Sequence, residues 1–130
     1  MRKTLASVMV VFMCLFMFAG CGNKTLEQRI KPADLQKMVD EMKENSLFKS
    51  VYKDAAIEVS GNTITYKYYY KQELSDEQIE SVKAQLEKSG LEKQADSVKS
   101  SIKKSTGIEP DSVAFIYYDG ADKEICKIEK

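Results

Sequence analysis

No histidine stands anywhere in the chain. That removes the base of a Ser-His-Asp or Cys-His pair and the commonest zinc ligand. Ser100–Lys103 and Ser101–Lys104 both have the Ser-x-x-Lys spacing by which penicillin-recognising serine enzymes activate a nucleophile. The companion Ser-Asp-Asn and Lys-Thr-Gly elements are absent, however, and Lys104-Ser105-Thr106-Gly107 is not the latter. An amphipathic helix rich in Ser and Lys accounts for both matches. Asp119-Gly120-Ala121-Asp122 places two carboxylates close together, but without the alternating oxygen ligands and closing Glu of a calcium loop. It reads as a hairpin turn. Glu73, Asp76 and Glu77 read as a helix start rather than an acid–base pair, and Lys83, Lys88, Lys93, Lys99, Lys103 and Lys104 as a solvated helix surface. Attraction of those lysines to anionic lipid is the lesser alternative. The expectation is therefore no catalytic residue, no metal site and no cofactor.

Three cysteines remain to be placed: Cys14, Cys21 and Cys126. The chain opens on Met1-Arg2-Lys3 and continues with an apolar run from Leu5 to Ala19, broken only by Ser7. A basic start, an apolar stretch too short for a permanent span and small closing residues mark an export signal. Phe18-Ala19-Gly20-Cys21 resembles the lipobox of bacterial prolipoproteins, with Phe18 in place of the usual Leu. In that resemblance the Cys21 sulfur takes a diacylglycerol, and a peptidase admitting small Ala19 and Gly20 cuts between Gly20 and Cys21. The alternatives are ordinary secretion or an uncleaved anchor. With Cys14 removed and Cys21 lipidated, Cys126 has no intramolecular partner. It reads as a core residue, against a reactive thiol.

Removal of residues 1–20 takes away Arg2 and Lys3 and no acid, which turns a balance of 20 basic and 20 acidic groups into a net of −2. So weak a field excludes nucleic acid as a partner on electrostatic grounds. The expected organisation is a signal peptide over 1–20, a lipidated cysteine and short tether over 21–31, and one domain over 32–130. That length suffices for a single modest core.

The elements follow from spacing. Thr25 and Gln28 have capping-box separation, and Pro32 suits a first helical turn. Leu35, Met38, Val39 and Met42 form one apolar stripe, and the helix should end near Glu44-Asn45-Ser46. Ala55–Ser60 and Thr63–Lys71 flank the Gly61-Asn62 turn signal, pairing Val59 with Ile64, Ile57 with Tyr66 and Ala55 with Tyr68. Ser75 and Gln78 form a second capping box. The stripe Ile79, Val82, Leu86 is rotated from Leu91, Ala95, Val98, Ile102 by roughly 140°, which predicts a break at Ser89-Gly90. Gly107 closes the helical region. Val113–Tyr118 and Lys123–Ile128 form a last hairpin pairing Phe115 with Cys126, Val113 with Ile128 and Ile116 with Ile125. The fold class is α+β, ordered α-β-β-α-β-β, with two hairpins in one antiparallel sheet and helices on one face.

Alternation then separates two sheet faces. Tyr66, Tyr68 and Tyr70 belong to the inward one. Tyr69 and Tyr118 fall on the outer one, near Lys67, Lys71, Ile116 and Ile125. Exposed tyrosine on a sheet anchors partners or stacks on sugars, although strand propensity alone also favours it. These six residues are the candidate binding face.

The lipobox, Thr25-Leu26-Glu27, Gly61-Asn62-Thr63-Ile64-Thr65-Tyr66, the long helix, Gly107-Ile108 and Asp119-Gly120 together resemble a family of small Firmicutes lipoproteins known as a domain of unknown function. The resemblance implies a Gram-positive cell-surface setting and no activity. The expected role is a non-catalytic binding module on the outer face of the cell membrane, held through Cys21, with a protein or wall polymer as ligand. A cell-envelope hydrolase and a structural or inhibitory accessory subunit of a membrane complex are the rival readings. Cys21→Ala should abolish fatty-acid labelling and processing. Continued incorporation of labelled fatty acid into that variant would refute the lipobox.

Overall fold

The computed structural model describes residues 25–130. The export signal, the Gly20–Cys21 cleavage site and Cys14 lie outside the described residues.

Helix α1 (Leu26–Arg29) is short and doubly capped. Thr25 Oγ1 accepts from the Gln28 N–H, and Gln28 Oε1 accepts from the Thr25 N–H. Leu26 and Ile30 are fully buried, so residues 25–31, expected as tether, are part of the domain. Helix α2 (Pro32–Glu44) buries Met38, Val39 and Met42. A further helix, α3 (Ser46–Val51), follows where the sequence signals only an end at Asn45-Ser46. Asn45 is also a beginning: its Oδ1 accepts from the N–H groups of Leu47 and Phe48, and Phe48 enters the core.

Strands β1 (Tyr52–Ser60) and β2 (Thr63–Tyr70) form the first hairpin. Val59 faces Ile64, Ile57 faces Tyr66 and Ala55 faces Tyr68, as alternation required. Gly61 adopts φ 57° at the turn, a conformation that favours glycine. After β2 come α4 (Asp76–Glu87), started by the Ser75–Gln78 capping box, and α5 (Leu91–Thr106). Gly90 separates the two helices with φ 82°, at the expected break. Strands β3 (Ser112–Tyr118) and β4 (Glu124–Glu129) complete the sheet, in the order β1-β2-β3-β4.

The sheet departs from expectation in two further ways. The sheet is mixed, because β2 and β3 run parallel, with Tyr66 beside Phe115 and Tyr68 beside Tyr117. Gly90 bends the helical segment without reversing it, so α4 and α5 act as one long crossover. Leu74, just before α4, bonds Asp119 at one end of the sheet, whereas Asp111, just after α5, bonds Asn62 at the other. The chain is thus returned to the end where β2 began, and the next strand must be parallel to it. The last hairpin is also shifted by two residues: Phe115 faces Ile128, Tyr117 faces Cys126 and Ile116 faces Lys127. A two-residue shift keeps every pair on its face, but a bulge between Tyr117 and Tyr118 opens the strand at Ile125. Ile125 was expected on the outer face, yet it is buried among the residues that pack beneath the helices.

The core is aromatic along the seam. Tyr66 stacks on Phe115 at 5.4 Å and Tyr68 on Tyr117 at 5.2 Å, while Tyr52 packs on Phe48, Tyr68 and Tyr70 at 5.0, 5.5 and 5.0 Å. The β3–β4 turn is held by one buried carboxylate. Asp119 accepts from the N–H groups of Leu74, Ala121 and Lys123, at 3.2, 2.9 and 2.9 Å. Beside it, a Cβ on Gly120 would meet Lys71 O at 2.6 Å, so this backbone approach requires glycine.

Burial alone would raise the Asp119 pKa, but those three N–H groups and the Lys123 ammonium favour the anion and hold it below the ordinary value. Its contribution to stability is therefore present above the unfolded carboxyl value near pH ~3.9 and is lost as pH falls through the lower folded one. Asp119→Ala should cost about 1–3 kcal/mol at neutral pH. The deficit against wild type should shrink in urea titrations below pH ~4. A deficit independent of pH would show that the carboxylate charge is not what holds the turn.

Candidate functional site

Helices cover one side of the sheet, and the opposite side is built row by row from the strand registers. Ala56, Lys67, Ile116 and Lys127 form one row across β1 to β4, and Asp54, Tyr69, Tyr118 and Glu124 the next. Burial along β2 alternates accordingly: Ile64, Tyr66 and Tyr68 are buried, whereas Thr63, Thr65, Lys67 and Tyr69 are half-exposed. The sequence thus placed Lys67, Tyr69, Ile116 and Tyr118 on the correct side, and β2–β3 pairing brings the four together.

Ile116 is only 8% exposed, although it stands outside the core cluster beneath the helices. Its register neighbours are Lys67 and Lys127, whose aliphatic stems can lie over it while their ammonium groups stay in water. Lys67 is pinned by Glu58 at 2.8 Å. That partner raises its pKa, against a smaller opposing effect of burial. Lys71 follows the end of β2 and is exposed, its N–H donating to Val51 O. It borders this face rather than forming it. Ile125 is absent from it for the reason given above.

The centre of the face is the Tyr69–Tyr118 pair. The ring centroids are 4.7 Å apart and the planes 11° from parallel, a close and nearly flat stack. Parallel in-register pairing sets that geometry, since side chains on neighbouring strands are separated by about one strand spacing. Each ring covers one face of the other, and both residues remain half-exposed. Burial first, then Tyr118, raises the Tyr69 pKa, while Lys67 opposes the rise, so the phenol is neutral at physiological pH. Ion pairs flank the pair, Lys43 with Asp54 at 2.6 Å and Lys53 with Asp122 at 3.0 Å. Nothing in the local sequence marks Lys43 as a neighbour of this face. It comes from α2, and no sequence spacing links it to β1.

The remaining chemistry is dispersed. Ser100, Lys103 and Lys104 are exposed on α5, and Ser101 is half-exposed there. Asp119 is committed to backbone N–H groups, and Asp122 to Lys53. Among the described residues, no group of three or more His, Cys, Asp or Glu side chains could hold a metal. An open groove of about 700 Å³ runs between β4 and the α4–α5 corner, with Lys83, Glu87, Leu91, Glu124, Cys126 and Ile128 in its lining. Its carboxylates are exposed at the surface. No helix among the described residues is long and apolar enough to cross a membrane.

A family model described as "Domain of unknown function (DUF4854)" matches residues 26–129. No curated protein and no solved structure matches.

Cys126 is 5% exposed in the groove wall, opposite Tyr117. Burial, with the Glu87 and Glu124 carboxylates nearby and Lys83 in opposition, pushes its thiol up to about 11. The thiolate is the reactive form, so the native domain should react with thiol reagents far more slowly than the urea-unfolded chain. Equal rates in the two states would contradict the burial.

Proposed function

The chain belongs to the DUF4854 family, a domain of unknown function, over residues 26–129, and from that premise we propose that it is a lipid-anchored, extracytoplasmic module that binds a protein partner without catalysing a reaction. The anchor is Cys21, and the support for it is the Phe18-Ala19-Gly20-Cys21 sequence behind a basic and apolar leader. Two acyl chains or more on one cysteine hold stably, where a single chain binds marginally.

The observation that carries the binding reading is the half-exposed Tyr69–Tyr118 stack, set beside Ile116 and ringed by ion pairs. Aromatic centres within a charged rim are the anatomy of a protein interface. Tyrosine supplies contact area with few rotatable bonds to immobilise, and its hydroxyl offers a hydrogen bond. Stacking on a sugar requires an open ring face. Pairing the rings takes up one of the two faces of each, which halves the ring area open to a sugar and favours a protein over a wall polymer.

The test is capture from intact membranes by crosslinking, comparing the wild type with Tyr69→Ser/Tyr118→Ser. Truncating central aromatics should cost about 2 kcal/mol or more, roughly thirty-fold in affinity. The sheet should keep most of its stability, since an exposed aromatic pair contributes about 0.5–1.5 kcal/mol. If a folded double variant captures the same partners at the same yield, this face does not bind them.

A further inference from the structure

The point where the chain enters the domain is fixed with unusual tightness. The Leu26 N–H donates to Asn62 Oδ1 at 3.0 Å, and the Glu27 N–H donates to Gly61 O at 3.0 Å. In return, the Gly61 N–H donates to Glu27 Oε1 at 2.9 Å. Leu26 is wholly buried and the capping box closes the turn around it. Residue 25 therefore emerges beside the β1–β2 turn and cannot move away without breaking three hydrogen bonds and exposing a core side chain.

Cys21 lies only four residues before Thr25. Fully extended, four residues span at most about 14 Å. Strand β2 rises about 20 Å between Thr63 and Tyr69, so the far end of the sheet is further from the turn than the tether can reach. We propose that the end of the domain carrying the Gly61-Asn62 turn is a membrane-contacting surface, and that the Tyr69–Tyr118 face is presented at the opposite end, away from the bilayer. This orientation rests on the lipid-anchor reading of Cys21.

Other segments at that end are identified by their bonds to the turn. The Asp111 N–H donates to Asn62 O at 2.8 Å, and Lys99 Nζ donates to Asp111 O at 3.3 Å. Gly107, which caps α5, is four residues from Asp111, so the last turn of α5 brings exposed Lys103 and Lys104 to the same end. These ammonium groups suit lipid phosphates, although Glu109 and Asp111 on the adjoining loop offset part of the attraction. The tether and its clamp set the orientation, and the lysines add to it. At the far end stand Asp119–Asp122 and the Lys53 ion pair, beside the stacked tyrosines.

Lys104→Cys and Ala121→Cys, each in a Cys126→Ala background, place a fluorophore at the two ends on exposed positions. The lipidated protein is reconstituted into phosphatidylcholine–phosphatidylglycerol vesicles that carry a quencher on the headgroup. The label at position 104 should lose most of its emission and the label at 121 almost none. A flexible Gly/Ser insertion between Lys24 and Thr25 should abolish that contrast. Equal quenching at both ends, stronger quenching at 121, or a contrast unchanged by the insertion would overturn the orientation. Failure to co-float with the vesicles, with Cys21 open to thiol reagents, would instead overturn the anchor itself and this inference with it.

Discussion

The parallel seam between β2 and β3 is the constraint on which the rest of the molecule depends. It places Ile64 by Val113, Tyr66 by Phe115 and Tyr68 by Tyr117 on the helix side, and Lys67 by Ile116 and Tyr69 by Tyr118 on the other. In-register parallel pairing puts equivalent side chains one strand spacing apart, which suits flat rings stacked on one another. The same backbone geometry thus builds an aromatic core on one face and an aromatic surface pair on the other. A change that slipped the seam by one residue would exchange both faces together.

The seam exists because the crossover is long and bent rather than folded back. Gly90 and Gly107, both with positive φ, bound α5 at its start and its end, and the apolar stripes change direction at the first of them. Hydrogen bonds at each end of the sheet then fix where the crossover starts and stops: Asp119 holds the chain entering α4, and Asn62 holds the chain leaving α5. Asn62 also receives α1 through its side chain. One turn residue thereby ties the entry of the chain, the first hairpin and the crossover together. A single end of the domain collects every segment closest to residue 25.

The two ends differ in character. The turn end is built from backbone hydrogen bonds and small polar residues, with the lysines of α5 beside it. The far end carries the stacked rings, the Lys43–Asp54 and Lys53–Asp122 ion pairs and the buried Asp119 carboxylate. In the proposed orientation the first end faces the bilayer and the second faces away from it.

Local chemistry was legible in the amino-acid sequence wherever a few neighbouring residues decide the outcome. Both capping boxes, the Gly61-Asn62 turn, the first hairpin's register and the break at Gly90 stand where spacing places them. So do the outward positions of Lys67, Tyr69, Ile116 and Tyr118, because alternation is a property of the strand itself. Tertiary structure decided what depends on distant partners. Whether β3 runs parallel to β2 is set by the net travel of two helices, which no short window contains. The bulge that turns Ile125 inward arises from matching β4 to a strand already fixed by β2. The ion pair between Lys43 and Asp54 joins α2 to β1, and the stacking of Tyr69 on Tyr118 joins residues 49 positions apart only after the crossover has closed. Sequence fixes the side of the sheet on which a residue stands, and chain topology fixes the neighbours it meets there.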